Sequence, residues 1–170
     1  MELSSYYDFA EQDYQYFMED INNGRVANYL GAMAQNICER YLKHIIDRKY
    51  EPTNEYEEAE KTSHLRTHSL SRLIKFVEKN IGKIPDEAKT ECKIIDGFYF
   101  STRYPGEDSI TLDKDDMMHC KMAVCMCREY TATTMLNRSL TAEMSKAKNA
   151  ATHKASHTDN DSNPYDSDGR

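Results

Sequence analysis

The segment from Arg25 to Asp47 constrains the fold more than any other part of the chain. Val26, Leu30, Ala34, Ile37, Cys38, Tyr41, Leu42 and Ile45 recur at spacings of three and four, which places them on one face of a long helix. A helix with such a face is stable only when other elements cover it. The rest of the chain supplies helices to do so. Tyr6, Phe9, Ala10, Tyr14, Phe17 and Ile21 give helical periodicity over Ser5–Asp20, with Ser5 and Asp8 placed as an N-terminal capping box. Asn22-Asn23-Gly24 breaks the chain before the long helix, and so short a link predicts an antiparallel pair. Gly31 is expected to admit a neighbouring backbone at close range.

Beyond Asp47 the chain is polar to Ser63 and contains Pro52, and Glu55–Glu60 reads as a short surface helix or a mobile loop. Leu70, Leu73, Ile74 and Val77 mark a helix over Thr67–Asn80, ended by Gly82 and Pro85. Asp86–Phe100 reads as a fourth helix with Ala88, Cys92, Ile95 and Tyr99 inward, and Ser101–Ile110 as a loop around Pro105-Gly106. A last helix, capped by Thr111 or Asp113, is expected to run to about Leu136 with Met117, Cys120, Val124, Cys127 and Ala132 facing in. His153–Arg170 is rich in Ser, Asn and Asp and has too little apolar area to offset the entropy of ordering. The expected organisation is an all-α, up-down bundle of four or five helices over residues 1–137. A polar, largely disordered tail over 138–170 follows, its helix extended weakly at most across Thr141–Ala151.

The formal net charge is -7, so bulk charge cannot attract a polyanion, and any nucleic-acid contact needs a local basic cluster or a partner subunit. No apolar run approaches the roughly 20 residues that cross a bilayer, and Met1–Tyr6 has neither a basic nor an apolar region. Five cysteines, an odd number, fit reduced thiols in a cytoplasmic protein. His119, Cys120, Cys125 and Cys127 invite a zinc reading, but on one continuous helix Cys125 points away from Cys120 and Cys127, so they read as core thiols and no metal or other cofactor is expected. His64 and His68 share a helix face without the glutamate of a metalloprotease. There is no Gly-rich phosphate loop and no nucleophile elbow.

Four stretches in order resemble the HEPN family. Gln35-Asn36-Ile37-Cys38-Glu39-Arg40-Tyr41-Leu42-Lys43 is similar to the signature of its second long helix, and Ala10-Glu11-Gln12-Asp13-Tyr14 to its first. His68-Ser69-Leu70 with Leu73 resembles its His-Asp-Leu element, and Arg103-Tyr104-Pro105 its Arg-Tyr-Pro loop. The resemblance implies a compact bundle that homodimerises; Tyr6, Tyr7, Tyr14 and Tyr16 cannot all face inward, so some of them are expected to line the dimer surface. It implies a nucleotide-binding module or a metal-independent RNase, often working beside a minimal nucleotidyltransferase in toxin–antitoxin or other defence systems. Two departures matter. Ser69 replaces the family's Asp, and the RNase motif of Arg, four to six residues, then His is absent: Arg40 and His44 have three residues between them, and Arg66 and His68 have one.

The site expected on this basis is a groove in which Arg103 grips phosphate with its two-pronged guanidinium. Tyr104 contacts the base or sugar, and His68 and Arg40 line the walls, with Lys43 and Lys75 adding charge. The leading expectation is nucleotide or RNA binding without cleavage. One alternative is an RNase using Arg40, His44 and His68, or Arg103 with His68, because a cation and an imidazole together serve phosphodiester cleavage. Another is a bundle that binds only a partner protein.

Overall fold

The computed structural model describes residues 4–155, with side chains to residue 136. Seven helical segments follow one another: α1 (Tyr6–Asn22), α2 (Asn28–Lys49), α3 (Glu55–Arg66), α4 (Leu70–Asn80), α5 (Asp86–Ile95), the single turn α6 (Phe98–Ser101) and α7 (Lys114–Ala155). There is no strand among the described residues, and none of their helices is long and apolar enough to cross a membrane. The bundle comprises the chain as far as Thr134. Beyond it α7 is helical in its backbone to Ala155, which takes in Thr141–Ala151. The disorder expected of the tail lies, for residues 156–170, outside the described residues.

α1 starts where the sequence places it. The Asp8 amide donates to the Ser5 hydroxyl oxygen, and the Ser5 amide donates to the Asp8 carboxylate at 2.9 Å. Gly24, with φ 71°, supplies the left-handed residue that turns the chain. α1 and α2 are antiparallel: Tyr7 packs on His44, Arg40 pairs with Asp13, and the Tyr29 hydroxyl donates to Asp20. The predicted inward residues of α2 are buried except Val26, which precedes the helix and is exposed, as is Phe9 on α1. α2 goes further than its stripe. Ala32, Gln35, Glu39, Lys43, His44 and Ile46 are buried as well, because α1, α3, α4, α5 and α6 all pack around it. The close neighbours of Gly31 are side chains and not the backbone expected there: a Cβ would run into the Leu112 side chain and lie 3.1 Å from that of Phe98.

Residues 55–66 resolve the choice between surface helix and loop. Asn54 accepts from the Glu57 amide, and the acidic first turn matches the positive end of α3. The fourth predicted helix is divided, which corrects the continuous helix expected over Asp86–Phe100. α5 stops at Ile95, and Gly97 at φ 111° starts α6 on a new axis. Asp96 is drawn off to cap another helix, accepting from the Leu70 and Ser71 amides at 3.0 and 2.9 Å. α7 begins at the predicted cap, with Asp113 Oδ1 accepting from the Asp115 and Asp116 amides. Its inner stripe is Met117, Cys120, Ala123, Val124, Cys127 and Thr131. Ala132 is exposed, because the residue facing the core four positions after Cys127 is Thr131, whose hydroxyl donates to the Cys127 carbonyl.

Candidate functional site

The site is assembled from one side chain outward. Gln35, buried on α2, uses its whole amide. Its Oε1 accepts from the amides of Gly97 and Tyr99 at 3.0 and 2.8 Å, and its Nε2 donates to the His68 carbonyl at 2.6 Å and to Glu39 at 3.2 Å. One residue therefore fixes the backbone of α6 and the entrance of α4 against α2. The loop after α6 is held in turn by Asn28, which donates to the Ile110 carbonyl and accepts from the Leu112 amide.

This frame brings three predicted or neighbouring groups together. The His68 ring stacks on Tyr99, with centroids 5.0 Å apart and planes at 1°. The Arg103 guanidinium lies 4.7 Å from the centroid of the same ring and 5.9 Å from that of Tyr104. Arg103 is exposed and makes no ion pair with a carboxylate of the described residues. Behind His68, Glu39 is almost wholly buried, and its Oε2 lies 3.1 Å from His68 Nδ1 and 3.3 Å from Lys43 Nζ. With Nδ1 turned to a carboxylate, Nε2 is the nitrogen left for a ligand. Tyr104 and Phe100 are both more than half exposed. They border an open cavity of about 380 Å³ with Gly97, Pro105 and Asp108. A cavity of about 630 Å³ lies elsewhere, between α3 and α4, with Arg66, Arg72, Glu55 and Glu58 around it.

The other expected site residues are not part of this cluster. Arg40 pairs with Asp13, donates to the Phe9 carbonyl and lies over the Phe9 ring, so it belongs to the α1–α2 contact. His44, one helical turn on, is buried against Tyr7, and its Nδ1 has no hydrogen-bond partner. Burial first, then the Arg48 charge, holds its imidazole below the usual histidine range. The two do not form an exposed cation–imidazole pair. Lys43 adds its charge from within the bundle, and Lys75 is exposed on α4. Tyr99, Gln35 and Glu39 are the members that the motif reading did not single out. Gln35 and Glu39 lie inside the stretch that carries the resemblance, and Tyr99 reads from its spacing as a core residue.

The thiols are arranged differently from any reading along one helix. His119 Nδ1 lies 2.7 Å from Glu91, so it is engaged away from Cys120, and Cys125 is only partly buried. Cys38, Cys92 and Cys127, from α2, α5 and α7, bring their Sγ atoms within 4.8 Å of one another. This convergence of residues far apart in the chain has no local sequence signal.

A family model described as HEPN domain matches residues 4–124. Comparison with curated proteins and with solved structures gave no match.

Proposed function

Since the chain belongs to the HEPN family, a family often associated with nucleotides and RNA, we propose that it is a nucleotide- or RNA-binding module whose ligand meets Arg103, Tyr104 and His68. The observation that carries this reading is the exposed Arg103 guanidinium, oriented by the Tyr99 ring and uncommitted to any described carboxylate. A guanidinium held on an aromatic face keeps its donor edge for phosphate oxygens. Tyr104 and Phe100 offer exposed rings for base stacking, which tolerates any base. The acidic balance of the whole chain makes such local recognition necessary, because long-range attraction is unavailable. Arg40 is left out of the site, for its charge is matched by Asp13. The module acts as a homodimer beside a partner such as a minimal nucleotidyltransferase, in a toxin–antitoxin or related defence pair. Exposed Phe9 and Tyr16 on α1 support a pairing surface. Titration calorimetry with ATP, GTP and short RNAs tests the ligand. Binding that weakens in Arg103→Ala is expected, and absence of binding at millimolar ligand overturns the reading.

One observation favours a second reading. His68 with Nδ1 held by buried Glu39 has the tautomer of a general base, and Arg103 stands on the same ring. Metal-independent RNA cleavage by this pair predicts product from total RNA in EDTA, lost in His68→Ala. Intact RNA removes this alternative and leaves binding alone.

A further inference from the structure

Cys38, Cys92 and Cys127 converge in the core, each at most 3% exposed, with Cys92 Sγ and Cys127 Sγ 3.3 Å apart. Three helices contribute one sulfur each, so the folded bundle itself presents the set. Sulfur donors select soft, thiophilic ions. Tetrahedral zinc requires a fourth ligand, and no further His, Cys, Asp or Glu of the described residues joins the three. Charge narrows the choice further. The surroundings are apolar side chains of the core, where net charge is costly. Three thiolates around a monovalent or divalent ion leave the site negative, whereas three thiolates around a trivalent ion leave it neutral. We propose that Cys38, Cys92 and Cys127 form a binding site for a trivalent thiophilic ion of the arsenite class, held by three sulfurs without water.

The reaction balances without an oxidant or a reductant. Trihydroxyarsenic exchanges three As–O bonds for three As–S bonds, and the three thiol protons leave with the hydroxyls as three waters.

The test uses the full chain, reduced with a phosphine, refolded from urea with sodium arsenite and then desalted. Native mass spectrometry is expected to show one arsenic in place of three hydrogens per chain. X-ray absorption is expected to show three sulfur neighbours and no oxygen. Cys38→Ala, Cys92→Ala and Cys127→Ala should each lower retention at least tenfold, while Cys120→Ala and Cys125→Ala retain the ion. No arsenic on the native chain, two sulfur neighbours instead of three, or equal retention by Cys127→Ala would overturn the proposal. Should the alanine variants fail to fold, the absorption spectrum of the unmodified chain decides it.

Discussion

Nδ1 of His68 lies 3.1 Å from Oε2 of Glu39, the same oxygen that Lys43 approaches at 3.3 Å. A half-exposed imidazole is thereby attached to a carboxylate that solvent scarcely reaches. The pair orients His68 toward the surface, and the Lys43 ammonium balances Glu39 inside the bundle. Glu39→Ala removes the carboxylate and leaves that ammonium buried and uncompensated. Loss of one partner of a buried ion pair costs about 3–5 kcal/mol. Urea denaturation of Glu39→Ala is expected to show a loss of this size. Adding Lys43→Met should restore much of it, because the orphaned charge is then gone. A double variant no more stable than Glu39→Ala would show that the ammonium is not what makes the single change costly.

Gln35 is the residue on which the shape of the site depends. Gln35→Leu keeps the side chain's approximate volume but leaves the amides of Gly97 and Tyr99 without their acceptor. Each buried donor left unsatisfied costs about 1–3 kcal/mol. The variant is expected to lose at least about 2 kcal/mol of stability. Amide hydrogen exchange at Gly97 and Tyr99 should rise above that of the α2 core, and unchanged protection there would count against this role.

Much of this arrangement was legible in the sequence, for physical reasons that differ by residue. Ser5 and Asp8 are three apart, and local hydrogen-bond geometry needs nothing more to define the start of α1. The stripe of α2 was legible because burial follows helical period. Its buried polar members were not, since Gln35 and Glu39 become core residues only when α4 and α6 close over them. The break after Ile95 escaped because its cause is distant. Asp96 serves the amides of α4, 25 and 26 residues earlier, and that pairing leaves no local trace. His68 and Arg103 were identified from the family resemblance, while the ring that holds both, Tyr99, was hidden within an apparently continuous helix. Arg40 and His44 share a helix face as their spacing requires, but α1 covers that face.

Arg103 lends itself to a test that separates charge from geometry. Hydrogen bonds to charged groups contribute about 1.5–3 kcal/mol, so Arg103→Ala should weaken nucleotide or RNA binding by roughly tenfold to a hundredfold. Arg103→Lys keeps the charge but loses the planar fork and its packing on Tyr99. It is expected to recover only part of the affinity. Arg40→Ala should leave affinity nearly unchanged and lower stability instead, because it breaks the contact with Asp13. Equal affinity losses in Arg40→Ala and Arg103→Ala, measured by calorimetry, would contradict this division of roles.

His44 makes stability depend on pH near neutrality. Its imidazole is buried, its Nδ1 is unpartnered, and Tyr7 from α1 covers it. Arg48 opposes its protonation, while Asp47 and Asp8 favour it more weakly than burial and Arg48 oppose it. The folded-state pKa therefore lies below the unfolded value of about 6.5. Between those two values the unfolded chain binds more protons, so stability rises with pH there. The contribution is present in full above about pH 6.5 and declines as pH falls through that value toward the depressed folded pKa. Urea midpoints are expected to drop between pH 7.5 and pH 5.5, a range above the ordinary pKa of carboxylates, whose own titration acts at lower pH. A His44→Leu variant, which removes the titrating group and keeps an apolar side chain against Tyr7, should flatten this part of the profile. An equally steep profile in the variant would mean that another histidine supplies the dependence.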